Sequence, residues 1–227
     1  MREPLILLIE TSTTSCSIAL SEGAKVIAVK EANERNTHAS HITLFINEVM
    51  KQAGKDYKDL NAIAVSKGPG SYTGLRIGVS TAKGLCYALD VPLISVNTLE
   101  SMANGLSNVR KIPESAYLLP MIDARRMEVY TAIYRADLTV IENVNAKIVN
   151  QSSFLEFPDN DLILFGDGAE KFKELFSERL NISFLDFRNS AVHLAPLAFQ
   201  KLINGELEDM AYFEPFYLKD FVITSKP

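Results

Sequence analysis

Apolar and polar positions follow the clearest pattern between residues 62 and 96. Residues 62–65 form a short apolar run with β-branched side chains, which predicts a buried strand. A glycine–proline–glycine loop at 68–70 ends this strand, and apolar residues then recur at helical spacing over residues 75–89. Residues 93–96 form the next apolar run. Two strands joined by a helix predict a parallel βαβ unit.

The chain before this unit opens with a predicted three-stranded meander. Residues 5–10 form an apolar run that ends in a carboxylate, residues 15–20 alternate, and residues 26–29 are a third short run. Apolar residues at helical spacing then predict a helix over residues 38–53, which a glycine ends.

The second half of the chain repeats this order. Residues 116–123 form an apolar run that ends in Asp123, and residues 127–134 form a returning strand after a polar turn. Further along, helices are predicted over residues 169–180 and 191–203. Each half therefore begins with a strand that ends in an acid, a polar turn and a returning strand.

This repeated order predicts an α/β fold of two similarly built domains, each with a mixed sheet flanked by helices. The polar stretch at 107–115 contains Pro113 and is the expected boundary, so the first domain covers residues 1–106 and the second covers residues 107–227. The last helix and the aromatic tail are expected to pack back on the first domain. Proteins of the actin, sugar-kinase and Hsp70 superfamily have this plan, with nucleotide in the cleft between the domains.

Composition narrows the class of partner. The chain has 227 residues and a formal net charge of −5, with 47% hydrophobic and 22% charged residues, which is ordinary for a globular protein. A protein that holds nucleic acid by itself usually presents a basic face, and the short clusters at 110–111 and 125–126 do not form one. Tight RNA binding by this chain alone is therefore disfavoured, although a partner could supply it.

Cysteine usage and the N-terminal sequence bear on the compartment. Cys16 and Cys86 are the two cysteines, and both fall in predicted core elements. They are typical of buried free thiols in a reducing compartment. The apolar run at residues 5–9 is too short for a signal peptide or a membrane span, so we expect a cytoplasmic protein without a membrane partner.

The acids that end the two strands are candidates for a pair that binds a nucleotide and its metal ion. A phosphate cradle of this type typically has glycine soon after the acid, but the turn after Glu10 contains only threonine and serine up to Ser15. This candidate cleft is therefore degenerate, and ATP hydrolysis by the chain alone is not expected, although an ATP-dependent kinase or carbamoyltransferase remains the alternative. The candidate cleft residues are Glu10, Thr11, Ser12, Gly68, Gly70, Ser71 and Asp123.

Other kinds of site have weaker support. The loop at 68–70 precedes a helix and could bind an anion, but it lacks the lysine of a phosphate-binding loop and equally predicts a tight turn. His38 and His41 are three residues apart on a predicted helix without a further ligand, so no metal site is predicted. No nucleophile elbow or catalytic triad is present, which makes a peptidase the weakest alternative.

The helix that follows the glycine-rich loop has two unusual features. Gly74, Gly78 and Ala82 lie four residues apart and form a ridge of small residues. Each glycine costs about 1 kcal/mol relative to alanine within a helix, so the ridge predicts close packing, either on its own sheet or against a helix of another chain. Arg76 opposes the helix dipole, so it either points to solvent or pairs with an acid such as Glu10, and we expect the ion pair.

Five segments together resemble the bacterial TsaB (YeaZ) family in their order and spacing, and the resemblance spans nearly the whole chain. They are LLIETSTTSCSIAL, KGPGSYTGLRIGVSTAKGL, VPLISVNTLESMA, IDARRMEVY and EPFYLK. The GPGSYTGLRIG part of the second segment is the most specific. The middle of the chain, residues 136–190, contributes little beyond GDGA.

The resemblance implies a role in forming N6-threonylcarbamoyladenosine in tRNAs that read ANN codons. Members of this family look like non-catalytic sisters of TsaD, which transfers the threonylcarbamoyl group, and TsaE, a small P-loop ATPase, completes the complex. The chain is then expected to form a homodimer alone, to exchange that contact for a TsaD-like subunit, and to meet tRNA only through the complex. The expected interface residues are His38, Ile42, Phe45, Thr73, Gly74, Gly78 and Ala82.

The same resemblance implies a scaffold rather than an enzyme. The catalytic sister carries a His-Met-Glu-Gly-His metal motif after the strand that follows its own glycine-rich loop, whereas residues 98–102 here are Thr-Leu-Glu-Ser-Met. Threonine and methionine cannot replace imidazole as ligands of iron or zinc. Met127 also stands where many relatives have glycine. We therefore expect no cofactor bound tightly by this chain alone, with ATP or ADP possible at the interface of the complex.

Overall fold

Two mixed five-stranded sheets flanked by helices make up the computed structural model, which describes residues 3–32 and 38–219. The predicted α/β class is therefore confirmed. The strands of the first sheet are β1 (Leu5–Glu10), β2 (Cys16–Glu22), β3 (Lys25–Ala32), β4 (Ala62–Gly68) and β5 (Leu93–Asn97). Their order in the sheet is β3-β2-β1-β4-β5.

The first sheet is built around β1. This strand pairs antiparallel with β2, where Glu10 lies opposite Ser17, and parallel with β4, where Ile9 lies opposite Val65. The predicted meander and the predicted βαβ unit therefore share one central strand. Every residue of β1 is buried, because alternate side chains enter separate apolar cores on the two faces of the sheet.

Helices from both ends of the chain cover these two faces. The helices are α1 (His38–Ala53), α2 (Tyr72–Leu89), α3 (Thr98–Val109) and α4 (Ala195–Asn204). Helices α1 and α2 contribute to the core on the Leu7 side of β1, and α4 contributes to the core on the Leu8 side. A helix close to the C-terminal end of the described residues therefore covers the first sheet.

The second sheet repeats the pairing of the first. Its strands are β6 (Tyr117–Asp123), β7 (Glu128–Arg135), β8 (Val140–Ile148), β9 (Leu162–Phe165) and β10 (Ile182–Leu185), in the order β10-β9-β6-β7-β8. Strand β6 pairs antiparallel with β7 and parallel with β9, as β1 pairs with β2 and β4. Helix α3 packs its Leu99 and Met102 side into a core shared with β6.

The prediction of a helix over residues 169–180 is wrong. Only a 3₁₀ turn at Glu170–Phe172 forms, followed by irregular turns. Phe172 and Phe176 are buried one turn apart, but Leu180, which would extend their stripe, is fully exposed. Arg179 instead donates to the carbonyl oxygen of Phe154 (3.2 Å). The apolar spacing that predicted the helix therefore lacks a third contact with the core.

The predicted helix over residues 191–203 divides into a 3₁₀ turn at Ala191–Leu194 and α4. Pro196 lies in the first turn of α4. Because proline has no N–H to donate to the preceding turn, the helical hydrogen-bond pattern cannot continue through it, and the regular helix begins there.

The segment 206–219 runs back over the first sheet. Phe216 donates its N–H to the carbonyl oxygen of Lys67 at the end of β4 (2.7 Å). Lys83 of α2 donates to the carbonyl oxygen of Phe213 (3.0 Å). The aromatic tail is therefore tied to the strand and the helix that flank the glycine-rich loop.

Both cysteines are buried and unpaired, as predicted. Burial raises the pKa of Cys16 to about 11 and the pKa of Cys86 to about 12, so both thiols stay protonated at neutral pH. Across the described residues, none of the helices combines the length and the apolar character needed to cross a membrane.

Candidate functional site

A cavity of about 220 Å³ lies between the two halves of the molecule, beside the predicted cleft, but none of the seven candidate cleft residues lines it. Its first wall is the turn after β1, of which residues 13–15 line the cavity. Its second wall is formed by residues 166–167 after β9, with Asp123 at the end of β6 hydrogen-bonded to Asp167. The residues that line the cavity are Thr13, Thr14, Ser15, Met102, Gly166, Asp167, Phe187, Arg188 and Asn189.

Glu10 lies beneath the first wall and is fully buried. One carboxylate oxygen, Oε1, accepts the N–H of Ser12 (2.6 Å). The other oxygen, Oε2, has no hydrogen-bond partner among the described residues. Burial raises the pKa of Glu10, and the hydrogen bonds from Ser12 oppose that rise. This environment disfavours the ionised carboxylate that a metal-bound nucleotide needs.

The first wall is closed by contacts within the chain. Ser71, which caps α2 by accepting the N–H of Gly74 (3.3 Å), donates its own N–H to the carbonyl oxygen of Ser12 (2.6 Å). Asn189 donates its side-chain amide to the hydroxyl of Ser12 (3.1 Å). Together with Glu10, these residues hold Ser12 through its backbone and its side chain. The start of α2 therefore binds the turn of this chain rather than leaving its first N–H group for an anion.

The small-residue ridge of α2 packs inside the chain. The hydroxyl of Thr11 donates to the carbonyl oxygen of Gly74 (2.8 Å). A Cβ atom at Gly74 would clash with the Thr11 carbonyl oxygen, and one at Gly78 would clash with the Thr11 hydroxyl. Ala82 is fully buried as well. The assignment of Gly74, Gly78 and Ala82 to a partner interface is therefore corrected, because these residues let α2 lie against the first wall.

The second wall is exposed and charged. The Asp123 side chain is 48% exposed, and its carboxylate accepts the Lys171 ammonium group at 2.5 Å and the N–H of Arg125 at 3.1 Å. Its own N–H donates to Oδ1 of Asp167 (3.1 Å). Partial desolvation at the cleft raises the pKa of Asp167, and the nearby Lys171 opposes that rise.

These walls do not fit a nucleotide held by this chain alone. A phosphate cradle needs a close approach to free backbone N–H groups, but the N–H of Ser71 donates to the carbonyl oxygen of Ser12 and the N–H of Ser12 donates to Glu10. On the second wall, Lys171 already neutralises Asp123. The cavity is also smaller than the about 300 Å³ at which small-molecule pockets usually begin.

Residues 187–191 are part of the site, and sequence reasoning missed them. Ser190 donates its hydroxyl to Glu31 of β3, as Ser17 of β2 does (2.6 Å). The N–H of Ala191 donates to the Ser17 hydroxyl (2.8 Å). Asparagine and serine before an apolar run are typical of a helix start. That signal marks the start of the helical segment, but no local pattern shows that it pairs with strands far earlier in the chain.

The predicted interface residues Ile42 and Phe45 of α1 are buried rather than exposed. Ile42 is 2% exposed and Phe45 is 6% exposed, and both belong to the apolar core of the first sheet. Their assignment to a partner interface is therefore corrected. His38 begins α1, but its side chain lies outside the described residues. Thr73 of α2 is exposed, as an interface residue of a free chain must be.

Arg76 does not pair with Glu10. Its guanidinium group lies 4.2 Å from the centre of the Tyr72 ring, and its Nε donates to the hydroxyl of Tyr217 (3.2 Å). The expected ion pair is wrong, because Glu10 is buried beneath the first wall and Arg76 lies on the exposed side of α2. The tail supplies the partner instead.

The histidines do not assemble a metal site within the described part of the chain. His41 packs its ring against Phe45, with ring centres 5.4 Å apart. His193 stacks on Phe187, and burial lowers the pKa of His193 to about 4. Across residues 3–32 and 38–219, no group of three or more His, Cys, Asp or Glu side chains is arranged to hold a metal ion.

Comparison with known proteins gives consistent matches along the chain. A family described as TsaD, tRNA N6-adenosine threonylcarbamoyltransferase, matches residues 26–221. The tRNA threonylcarbamoyladenosine biosynthesis protein TsaB of Escherichia coli K12 is 32% identical to this chain, over 97% of each chain. The protein of the same name from Bacillus subtilis 168 is also 32% identical, over 77% of this chain and 76% of its own.

Solved structures support the fold. YeaZ from Pseudomonas aeruginosa covers 95% of this chain and all of its own, with a TM-score of 0.82 and 23% identity. The activator of the 2-hydroxyisocaproyl-CoA dehydratase from Clostridium difficile covers 91% of this chain and 97% of its own, with a TM-score of 0.51 and 10% identity. The predicted fold of two mixed sheets flanked by helices is therefore confirmed.

Proposed function

Because the chain belongs to the TsaB (YeaZ) family of tRNA threonylcarbamoyladenosine biosynthesis proteins, we propose that it is a non-catalytic subunit of the cytoplasmic assembly that forms this modification. It supports a TsaD-like catalytic subunit, together with a TsaE-like P-loop ATPase. One observation carries the proposal: Ser12 and Ser71 bind each other where a phosphate cradle would have to open. A subunit whose own cleft is closed in this way contributes a binding surface for its partner rather than catalytic groups.

The partner surface of this proposal is the outward side of α1 and α2. Leu44 of α1 is 56% exposed and Tyr87 of α2 is 81% exposed, so both side chains are available to a partner. Thr73, Ser80 and Gly84 are also exposed on α2. Small side chains allow a partner helix to approach closely, and an aromatic side chain supplies an anchor. The same surface serves a homodimer and a TsaD-like partner, so the two assemblies exclude each other.

Nucleotide and tRNA enter this proposal through the assembly. A nucleotide binds where this chain meets its partner, because the cleft of the chain itself is closed on the first wall and neutralised on the second. The tRNA is held mainly by the partner subunits, since this chain carries a net charge of −5.

The experiment that tests the proposal is a reconstitution of tRNA modification. It contains ATP, threonine, bicarbonate, the threonylcarbamoyl-AMP synthetase, and the TsaD-like and TsaE-like subunits of the same organism, with or without this chain. We expect modified adenosine to require the chain, while the chain alone turns over neither ATP nor the adduct. Equal modification without the chain, or transfer by the chain alone, would overturn the proposal.

The second candidate is an ATP-dependent kinase or carbamoyltransferase. Glu10 and Asp123 favour it, because they end equivalent strands of the two sheets, as the phosphate-binding acids of such enzymes do. This function predicts metal-dependent ATP turnover by the isolated chain that is lost in both Glu10→Gln and Asp123→Asn. Absence of turnover at millimolar ATP and magnesium excludes it.

A further inference from the structure

Two opposite charges line the cavity of about 220 Å³ without pairing. Asp167 and Arg188 both border it, yet no ion pair joins them at 4.0 Å or less. Within the described residues, neither side chain has another ion-pair partner. Both side chains are exposed, and each therefore keeps a charge available to a ligand in the cavity.

We propose that this cavity binds a free α-amino acid of small size, with its ammonium group at Asp167 and its carboxylate at Arg188. In such a molecule the two charges sit on one carbon, and they have the signs and the close spacing needed to bridge the two side chains. The proposal goes beyond the scaffold function and does not depend on it.

The charge pattern selects a zwitterion over a simple ion. An anion such as phosphate would face Asp167, and a simple cation would face Arg188, so each would meet repulsion from one side. A molecule that carries both charges avoids both repulsions. Partial desolvation raises the pKa of Asp167, and an ammonium group beside it would restore the ionised carboxylate.

The remaining surface of the cavity fits an amino acid as well. Met102 and Phe187 supply apolar surface for a side chain, and the hydroxyls of Thr14 and Ser15 supply donors for a carboxylate. The volume is several times the about 30 Å³ that one water occupies and below the range of about 300 Å³ and above that is typical of drug-sized ligands. A small amino acid therefore fits, whereas an adenine nucleotide does not.

The test is calorimetric titration of the full chain with glycine, L-serine, L-valine and L-leucine. We expect at least one of them to bind with a dissociation constant below about 1 mM. For that amino acid, the N-acetyl derivative lacks the ammonium group and the amide lacks the carboxylate. Each derivative is expected to bind at least about 10-fold more weakly, which is the loss of one charged contact. This arm uses the unmodified protein and needs no variant to fold.

Two variants test the assigned side chains. Asp167→Asn keeps an oxygen that accepts the N–H of Asp123, and Arg188→Gln keeps much of the side-chain length. Each is expected to weaken binding at least about 10-fold. Asp159→Asn and Arg110→Gln remove exposed charges of the same types elsewhere and are expected to leave binding unchanged.

Three outcomes overturn the proposal. The first is that none of the four amino acids binds with a dissociation constant below about 1 mM. The second is that the N-acetyl derivative or the amide binds as tightly as the parent amino acid. The third is that inorganic phosphate binds more tightly than any of them and depends on Arg188 alone, which would make the cavity an anion site.

Discussion

Glu10 and Asp123 occupy equivalent places in the two sheets and have opposite environments. Each ends a strand that pairs antiparallel with its successor and parallel with a later strand. Glu10 is fully buried, with one carboxylate oxygen lacking a partner among the described residues. Asp123 is 48% exposed and is paired with Lys171. At equivalent places in the topology, burial therefore disfavours the charged form of Glu10, whereas Lys171 neutralises the charge of Asp123.

The two walls therefore depart from a metal-bound phosphate site in different ways. On the first wall, α2 lies so close to Thr11 that the turn cannot wrap a ligand. On the second wall, the turn stays open, but the charge that would face a metal ion faces a lysine instead. Burial acts on one side and ion pairing on the other, and each disfavours a metal-bound phosphate at its wall.

The largest effect is expected at the contact that closes the first wall. Gly78→Leu places a side chain against the Thr11 hydroxyl, where even a Cβ atom clashes, so it should destabilise the fold by about 3 kcal/mol or more. Gly84 lies on the same helix with no atom within 4 Å of a Cβ. Gly84→Leu should therefore leave the free energy of unfolding unchanged or raise it by about 0.5 kcal/mol. Urea denaturation measures both.

The same two variants distinguish a residue needed for folding from a residue on the proposed partner surface. Gly84→Leu is expected to weaken the contact with a TsaD-like subunit, because the residue lies on the outward side of α2. Size-exclusion chromatography of the mixed subunits measures this. A stable Gly78→Leu protein would show that α2 does not close the first wall.

The next largest effect is expected at His193, which should lower the stability of the fold in acid. This residue follows the segment that contacts the first wall. Burial lowers the pKa of His193 to about 4, whereas the unfolded chain binds a proton near pH 6.5. The contribution of His193 to the free energy of unfolding is therefore constant above pH 6.5. It falls by about 3 kcal/mol in total as the pH decreases to 4. His193→Phe keeps a ring on Phe187 and removes the titration. Its stability should fall less than that of the parent chain between pH 6.5 and pH 4.

Glu10 is expected to act in the opposite direction. Its raised pKa means that the folded state holds a proton above pH 4.5, so its contribution is complete below pH 4.5 and is lost as the pH rises through the folded pKa. Glu10→Gln places an amide beside the unpartnered Ser66 hydroxyl and should stabilise the neutral-pH fold by about 1 kcal/mol. Urea denaturation from pH 5 to pH 8 should show the parent chain losing stability relative to the variant. Parallel curves would contradict this environment, and Glu114→Gln controls for loss of one exposed carboxylate.

The smallest effect is expected on the second wall. Asp123→Ala removes an exposed ion pair with Lys171, and such pairs contribute about 0.2 to 1 kcal/mol. A double-mutant cycle with Lys171→Met should give a coupling energy below about 1 kcal/mol. A coupling several times larger would show that the second wall is rigid and buried, and the contrast with Glu10 would then fail.

Local patterns in the sequence predict much of the fold. The apolar run at 5–10, the alternation after it and the helical spacing over 75–89 each correspond to an observed element, because one face of each is buried. The helix predicted over 169–180 fails, because helical spacing alone cannot show that Leu180 has no core to pack on.

The candidate site is less accessible to sequence reasoning. The sequence indicates Glu10 and Asp123, because each ends an apolar strand. It does not indicate that the glycine ridge packs on Thr11, since spacing predicts close packing but not which surface approaches, and Thr11 is far away in sequence. Asn189 and Arg188 belong to no motif, because they reach the cleft only through the return of the chain to the first sheet.

The most direct test of a subunit without chemistry of its own is tRNA modification with the Glu10→Gln, Asp123→Asn double variant in place of the natural chain. Both side chains keep their shape and lose the charge that a metal ion needs. At equal amounts of folded protein bound to the TsaD-like subunit, we predict a rate within about 2-fold of the parent rate, which corresponds to about 0.4 kcal/mol. A loss of about 100-fold or more with binding intact would contradict the account and make these acids catalytic.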